Sequence, residues 1–244
     1  MFLIRRLILA HLLADFAFQT DYIYRIKTRG WAGLIIHGLV FALSSFVLCA
    51  PVITDVFWPV LLITVFHVIV DWSKIHLISK LKIGYTLSFL LDQAIHIGVI
   101  LLLIPLGIGE KVQYCWGRWL SGGWEWFNIL KYDQPLVILS GFIITMFAGT
   151  ILINCIESDL RPGRKKILET PFRRYYGMFE RGALLAAALW SSIWVVPLVF
   201  LPRIIWWAGI GRREGKDTSV IQIEDIVINL ILTAFSLYII RLLN

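Results

Sequence analysis

Charged residues are scarce in this chain. Asp, Glu, Lys and Arg make up 16% of its 244 residues, against roughly 25% in an ordinary soluble domain. Hydrophobic residues make up 59%, and the mean hydropathy is +0.79. These values exclude a soluble globular domain.

Cysteine is scarce too: Cys49, Cys115 and Cys155 lie far apart and form no metal-type or redox pair, so we interpret them as packing residues.

Few charges interrupt the apolar stretches. Seven stretches of about 17–21 mostly uncharged residues match the length that a helix needs to cross a hydrocarbon core. They are continuous rather than alternating, which favours helices over a barrel. We therefore predict an all-α fold, a polytopic membrane helical bundle with about seven transmembrane helices. The predicted spans are 3–19, 31–49, 52–70, 86–106, 135–154, 183–202 and 222–242.

The spans divide the chain into three regions. Residues 1–106 hold four transmembrane helices, and residues 135–244 hold three more together with a basic loop, 155–182. Between them, residues 107–134 form a tryptophan-rich connection that we expect at the membrane interface. The basic loop either binds anionic lipid headgroups or reflects topological charge bias alone. The sequence leaves both interpretations open.

The net charge of +7 raises the question of nucleic acid binding. The basic residues, however, lie in short loops between apolar runs, as the positive-inside bias produces. We expect no nucleic acid partner. More Lys and Arg lie in the first, third and fifth loops and at the C-terminus than on the other side, although Arg5 and Arg6 argue against this orientation. The count places the N-terminus outside and those loops in the cytoplasm.

Histidine is rare: all five histidines lie within the first hundred residues, and four of them form one pattern with Asp. Three of them have an Asp four positions away, which places both side chains on one face of a helix, about 6 Å apart. Antiparallel neighbours bring all these positions to the same leaflet, which the charge count makes the cytoplasmic one. The residues are His11 with Asp15, His67 with Asp71, Asp92 with His96, and His37 alone.

The carboxylates of this group are expensive in a membrane. An Asp at mid-membrane costs about 2.5–3.5 kcal/mol on insertion scales, and a divalent cation ringed by His and Asp offsets that cost. Imidazole and carboxylate together suit Zn best here, with Mn or Fe as alternatives. Seven candidate ligands exceed the four of one structural zinc, so we predict a centre of one or two ions.

Four polar residues close to this group are candidate supporting residues. Gln19 and Gln93 could orient the ligands from outside. Lys27 and Lys74 could bind a phosphate group of a substrate, or they could simply extend to the headgroups. His76 lies outside the pattern, and we interpret it as a solvated loop residue.

A metal centre that opens toward one leaflet can activate water against a phosphate or ester. This predicts a metal-dependent hydrolase of a lipid or phosphate-bearing membrane substrate, with Asp15, Asp71 and Asp92 as candidate catalytic carboxylates. An ion or proton-coupled transporter or channel could use the same residues. Hydrogen bonding between helices is the third interpretation. We expect membrane lipids as partners; the oligomeric state is left open.

The N-terminal half resembles the bacterial membrane proteins classed as domain of unknown function 3307. The residues that carry the resemblance are HLLADFAFQ at 11–19, Lys27, His37, HVIVDWSK at 67–74 and DQAIH at 92–96. The resemblance implies a location in the bacterial inner membrane. The family is similar in style to membrane-bound metal-dependent hydrolases, which also carry His and Asp on short transmembrane helices. This likeness is only an association.

A second motif of that family is similar to RRYYGMFER at 173–181. Phe179 stands where the family has Leu. In the last predicted span, IVINLIL replaces the small-residue pair that the family implies, so the resemblance says less about the packing of that helix.

Overall fold

The computed structural model describes residues 2–50, 53–76, 83–103, 132–160, 171–190, 194, 196–206 and 217–243. Every regular element among them is helical, so the predicted all-α fold is confirmed. Two helices continue through a π-helical turn, Leu13–Ala17 after the first and Ile144–Ala148 between the sixth and seventh. The helices are α1 Phe2–Leu12, α2 Asp21–Arg29, α3 Trp31–Leu48, α4 Ile53–His76, α5 Tyr85–Leu103, α6 Asp133–Ile143, α7 Gly149–Leu160, α8 Pro171–Leu189, α9 Val196–Trp206 and α10 Asp217–Leu243.

Five segments of the described chain are long and apolar enough to cross a membrane. They correspond to the second, third, fourth, fifth and seventh predicted spans, and the chain is accordingly a polytopic membrane protein. The predicted count of seven is not confirmed. The five segments are Trp31–Leu48, Val56–His76, Tyr85–Leu103, Asp133–Leu160 and Ile226–Leu243.

The first and sixth predicted spans differ from the other five. The helical segment that begins at Phe2 ends with Ala17, which gives a length of about 24 Å, below the roughly 30 Å of a hydrocarbon core. The prediction of one crossing over 183–202 was wrong, because α8 ends at Leu189 and α9 begins at Val196. Pro197 in the first turn of α9 lacks the backbone donor that a continuous helix needs there.

The stretch 20–30 between the first and second predicted spans contains a helix, α2. The Thr20 hydroxyl caps it by accepting a hydrogen bond from the backbone nitrogen of Ile23 at 3.3 Å. Asp21 in the first turn and Lys27 in the last turn suit the helix dipole. α2 folds back onto the start of α3, where a Cβ at Gly33 would lie 2.1 Å from the backbone carbonyl of Ile26.

Other predicted connections are partly helical. Helix α4 continues to His76, so the polar stretch after span three begins as helix. In the predicted basic loop, residues 155–160 belong to α7 and 171–182 belong to α8. Residues 161–170 lie outside the described part of the chain, as does most of the tryptophan-rich connection predicted at 107–134.

The chain forms two compact units, Met1–Ser140 and Gly141–Asn244. In the first, the core lies between α1, α3 and α4 and includes Leu7, Phe41 and Ile63, none more than 1% exposed. The outward faces carry large exposed apolar side chains, as lipid-facing helices do. The second unit buries a set of polar side chains on α8 and α10, including Arg181 and Asn229.

Candidate metal centre

The seven predicted ligands come together at one end of the first unit. Asp15 lies where the first helical segment ends, and His67 and Asp71 lie in the second half of α4. His37 and Asp92 lie near the beginnings of α3 and α5. Antiparallel packing brings these helix ends level, as the sequence predicted. All seven side chains are buried, with at most 5% of any residue exposed.

Four of these residues form the centre of the cluster. The Oδ1 atom of Asp15 lies 3.1 Å from the Nε2 atom of His37 and 3.3 Å from that of His67, and the two Nε2 atoms are 3.1 Å apart. On the same His37–His67 edge, the Oδ2 atom of Asp71 lies 3.4 Å and 3.6 Å from the two nitrogens. Zinc bonds of about 2.0–2.1 Å place neighbouring tetrahedral ligands about 3.3 Å apart. Both triangles have the size of a face of such a tetrahedron.

His11 and His96 extend the cluster toward α5. Their rings stack with centroids 4.9 Å apart, and the His96 ring lies 4.4 Å from that of His67. Asp15, His67 and His96 each take part in two sets of ligand atoms, so the geometry leaves one or two ions open. Each set has its ligand atoms within 4.8 Å of one another: His11, Asp15 and His96; Asp15, His37 and His67; His67, Asp71 and His96.

Asp92 lies at the edge of the cluster and belongs to none of these three sets. Its Oδ1 atom is 3.6 Å from the Nδ1 atom of His96. Its backbone carbonyl lies 2.8 Å from the same nitrogen. A carbonyl can only accept a hydrogen bond, so the Nδ1 atom of His96 carries a proton and donates it to this bond. The Nε2 atom of His96 is therefore left with a lone pair. Asp92 thus orients the ligand His96 through its backbone carbonyl, in addition to being a ligand candidate through its carboxylate.

Hydrogen bonding within the described residues does not satisfy this cluster. Five buried atoms lack a hydrogen-bond partner there: Nδ1 of His11, Nδ1 of His37, Nε2 of His96, Oδ2 of Asp71 and Oδ1 of Asp92. Leaving a buried polar atom unpaired costs about 1–3 kcal/mol. A network that serves only to tie helices together would leave this cost in place. For His11, His96 and Asp71, the unpaired atom belongs to a ligand candidate whose other polar atom is bound to a neighbour, and such unpaired lone pairs are the chemistry of a cation site.

The four predicted supporting residues surround the ligands. Lys27 donates from Nζ to Oδ1 of Asp71 at 2.7 Å and to Oε1 of Gln19 at 3.2 Å. Lys74 donates to Oδ2 of Asp92 at 2.6 Å.

Gln93 connects two of the ligands. It donates to Asp92 Oδ2 at 3.1 Å, and its Oε1 lies 3.2 Å from Nε2 of His11. An amide oxygen accepts, so Nε2 of His11 carries the proton and Nδ1 is free to bind a metal. His76, the fifth histidine, is exposed at the end of α4, near the Trp72 carbonyl.

Sequence reasoning missed one neighbour of the centre, Phe41. Its ring stacks on that of His67 with a centroid distance of 4.8 Å and an interplanar angle of 9°. Phe41 follows His37 by one helical turn, so a search for aromatic residues on the same face of α3 could have found it. It closes the apolar side of the cluster and fixes the plane of the His67 ring.

A comparison with family models matches residues 3–115 to the family described as "Protein of unknown function (DUF3307)". All seven cluster residues and their four supporting residues lie inside the matched range. Searches of the curated proteins and of the solved structures found no match. The match covers a little under half of the chain, and over residues 3–115 the chain is similar to the DUF3307 family.

Proposed function

We propose that this protein is an integral-membrane metal-dependent hydrolase that acts on a lipid or another phosphate-bearing membrane substrate. The observation that carries the proposal is the buried cluster of seven His and Asp side chains from four helical segments, with five atoms that lack a hydrogen-bond partner in the described chain. We place the protein in the bacterial inner membrane, with the cluster toward the cytoplasmic leaflet.

The donor set favours zinc, with manganese or iron as alternatives. Imidazole nitrogens and carboxylate oxygens are the atoms on offer, and among the described residues no thiolate takes part. The first ion binds to His37 and His67 together with Asp15 and Asp71, whose ligand atoms form the two triangles. His11 and His96 are available for a second ion or for a change of coordination.

A bound divalent cation supplies an activated water and polarises the substrate oxygen. In the hydrolysis, the water oxygen bonds to the phosphorus or carbonyl carbon, the bond to the ester oxygen breaks, and the leaving oxygen receives a proton. Asp15, Asp71 and Asp92 are the candidate groups to hold and transfer that proton. Lys27 donates to Asp71, and Lys74 and Gln93 donate to Asp92.

The surroundings of the cluster suit a substrate that lies in the membrane. Tyr22 and Tyr24 of α2 are 70% and 57% exposed, as aromatic residues at a membrane interface are. The rings of Trp31, at the start of α3, and Trp72, near the end of α4, stack with centroids 5.8 Å apart. An amphiphile with its tail in lipid and its polar group at the interface fits this end of the bundle.

Elemental analysis of the detergent-purified protein tests the proposal. We expect stoichiometric transition metal in the wild type and a loss of most of it in His67→Ala. His76→Ala is the matched control, since His76 lies on the same helix but is exposed and outside the cluster. The metal-loaded wild type should also hydrolyse members of a panel of phosphate esters and acyl esters, and His67→Ala should not.

Wild-type protein that retains no transition metal at neutral pH, even after incubation with zinc, would remove the basis of the hydrolase. Ion or proton transport makes a different prediction. In proteoliposomes it requires a flux of protons or cations that His67→Ala abolishes and that proceeds without substrate turnover.

A further inference from the structure

We propose that the two lysines of the cluster have different roles: Lys74 binds the phosphate group of the substrate, and Lys27 is a positioning residue for Asp71. This inference rests on the proposed hydrolase and deepens it, because it assigns the substrate class and the residue that recognises it. The chemical class is a phosphate ester with its charge exposed at the mouth of the cluster.

Lys27 is held by two hydrogen bonds and cannot leave its partners to bind a substrate. Its side chain is 10% exposed, and its ammonium group donates to both Asp71 and Gln19. The backbone around it is fixed as well, because the amide nitrogen of Lys27 lies 2.4 Å from where a Cβ at Gly33 would be. Asp71 Oδ1 is occupied by Lys27, while Oδ2 faces the two Nε2 atoms. Lys27 thus selects which oxygen of Asp71 points inward.

Lys74 is placed quite differently. Its side chain is 35% exposed, and it makes one hydrogen bond within the described chain, to Asp92 Oδ2. That oxygen also accepts a hydrogen bond from Gln93, so Asp92 keeps a partner when Lys74 turns away. Lys74 lies in the last turn of α4, at the end of the bundle where headgroups lie. A long flexible side chain in this position can move between Asp92 and a ligand anion.

The charges indicate an anionic ligand. The three carboxylates of the cluster exceed the two ammonium groups by one negative charge when the histidines are neutral. A single divalent cation reverses the balance to one positive charge, and a second ion makes it more positive still. A buried site with an excess positive charge binds a group that carries the opposite charge. Phosphate also offers Lys74 an oxygen in place of the carboxylate that it leaves.

The test uses the Mn²⁺-loaded protein in detergent and the broadening of ³¹P resonances by the bound ion. The probes are inorganic phosphate and hexyl phosphate. We expect Lys74→Met to weaken probe binding about tenfold and to leave the manganese content unchanged, whereas Lys74→Arg keeps most of the affinity. Lys27→Met should lower manganese affinity about 10- to 100-fold, as the loss of an outer partner does, and Lys27→Arg should restore much of it.

The outcomes separate the two proposals. Wild-type protein that binds neither manganese nor zinc overturns the hydrolase and this inference with it. Manganese that binds without broadening either probe, or broadening that is equal in wild type and Lys74→Met, overturns the role of Lys74 alone. Loss of manganese from Lys74→Met does the same, because it makes Lys74 a positioning residue. Tighter binding of hexyl phosphate supports a lipid headgroup, and equal binding of both probes supports free phosphate.

Discussion

Each ligand candidate at the edge of the cluster has one polar atom fixed by a neighbour and the other turned inward. Gln93 accepts a hydrogen bond from Nε2 of His11, and the backbone carbonyl of Asp92 accepts one from Nδ1 of His96. Lys27 fixes Asp71 by donating a hydrogen bond to one of its two oxygens. Outer partners of this kind set the tautomer of histidine ligands and orient carboxylate ligands in metal sites.

A second residue that fixes its surroundings is Arg181 in the Gly141–Asn244 unit. It is 3% exposed and donates to the carbonyls of Thr145 and Met146 at 2.9 and 3.1 Å, to Asn229 Oδ1 at 2.9 Å, and to the Thr150 hydroxyl. Thr145 and Met146 lie in the π-helical turn, where the helical hydrogen-bond pattern changes and carbonyls need other donors.

We predict that Arg181→Ala destabilises the protein by about 3–5 kcal/mol, because it leaves several buried acceptors without a donor. Arg181→Lys should lie between the alanine variant and the wild type, since an ammonium keeps the charge but cannot span the same acceptors. The midpoint of thermal unfolding in detergent measures the order. Arg241→Ala, on the exposed side of the last turn of α10, is the control and should not shift the midpoint. Equal midpoints for wild type and Arg181→Ala would contradict the assignment.

The His/Asp cluster of the first unit could be predicted from the sequence. The buried contacts of Arg181 in the second unit could not. Histidine and aspartate four residues apart in apolar stretches are visible without a structure, because i and i+4 share a helix face. Arg181 was placed in the basic loop 155–182 because six other basic residues precede it there. Nothing local in the sequence shows that this arginine is buried. Its partners Thr145 and Asn229 lie 36 and 48 positions away.

At the scale of elements, α2 and the start of α3 together determine where Lys27 lies. The sequence offered signals for α2, since Thr20 and Asp21 suit a helix N-terminus and Lys27 and Arg29 suit a C-terminus. The segment is short and polar and lies between two predicted spans, where a short loop is expected from the sequence. The close contact of α2 with Gly33 depends on the fold and could not be predicted.

We predict that Gly33→Ala weakens metal binding and destabilises the protein by about 1–3 kcal/mol, as overpacking does. A methyl group at this position meets the backbone carbonyl of Ile26 at 2.1 Å, and backbone cannot turn aside as a side chain can. The two helices must separate, which moves Lys27 from Asp71. Metal content and thermal midpoint should therefore fall together.

Gly98→Ala in α5 is the matched control, because a Cβ there would meet nothing within 4 Å. It should leave metal content unchanged and raise stability slightly, through the higher helix propensity of alanine. If both glycine variants behave alike, the contact between α2 and α3 does not position Lys27.

The π-helical turn Leu13–Ala17 is the element feature that the sequence did not indicate. It contains Asp15, and its last hydrogen bond joins the backbone nitrogen of Phe18 to the carbonyl of Leu13 at 2.8 Å. One extra residue in a turn changes the direction in which Asp15 projects relative to His11. The carboxylate consequently lies closer to His37 of α3, at 3.1 Å, than to its own helix partner, at 3.8 Å. The spacing of His11 and Asp15 predicted a shared helix face and did not indicate this closer contact with α3.

At the scale of the whole molecule, the two ends of the Met1–Ser140 unit differ in chemistry. The cluster lies at the end where α3 begins. At the other end, the buried Arg6 donates to the carbonyl of Leu48 in the last turn of α3, at 3.2 Å. A cation suits the C-terminal end of a helix dipole. The sequence bias in Lys and Arg, in contrast, concerns the loops, and it decides which end faces the cytoplasm.

This orientation can be tested with two cysteines that flank the same helix. Thr28 and Ala50 are both exposed and lie just before the start and just after the end of α3. In a background with Cys115 and Cys155 replaced by Ser, a membrane-impermeant maleimide should label Thr28→Cys in inverted vesicles but not in spheroplasts. Ala50→Cys should show the opposite pattern. Labelling of both from one side would contradict a crossing by α3. The reversed pattern would place the cluster at the outer leaflet, and the substrate would then have to be a lipid exposed on that face.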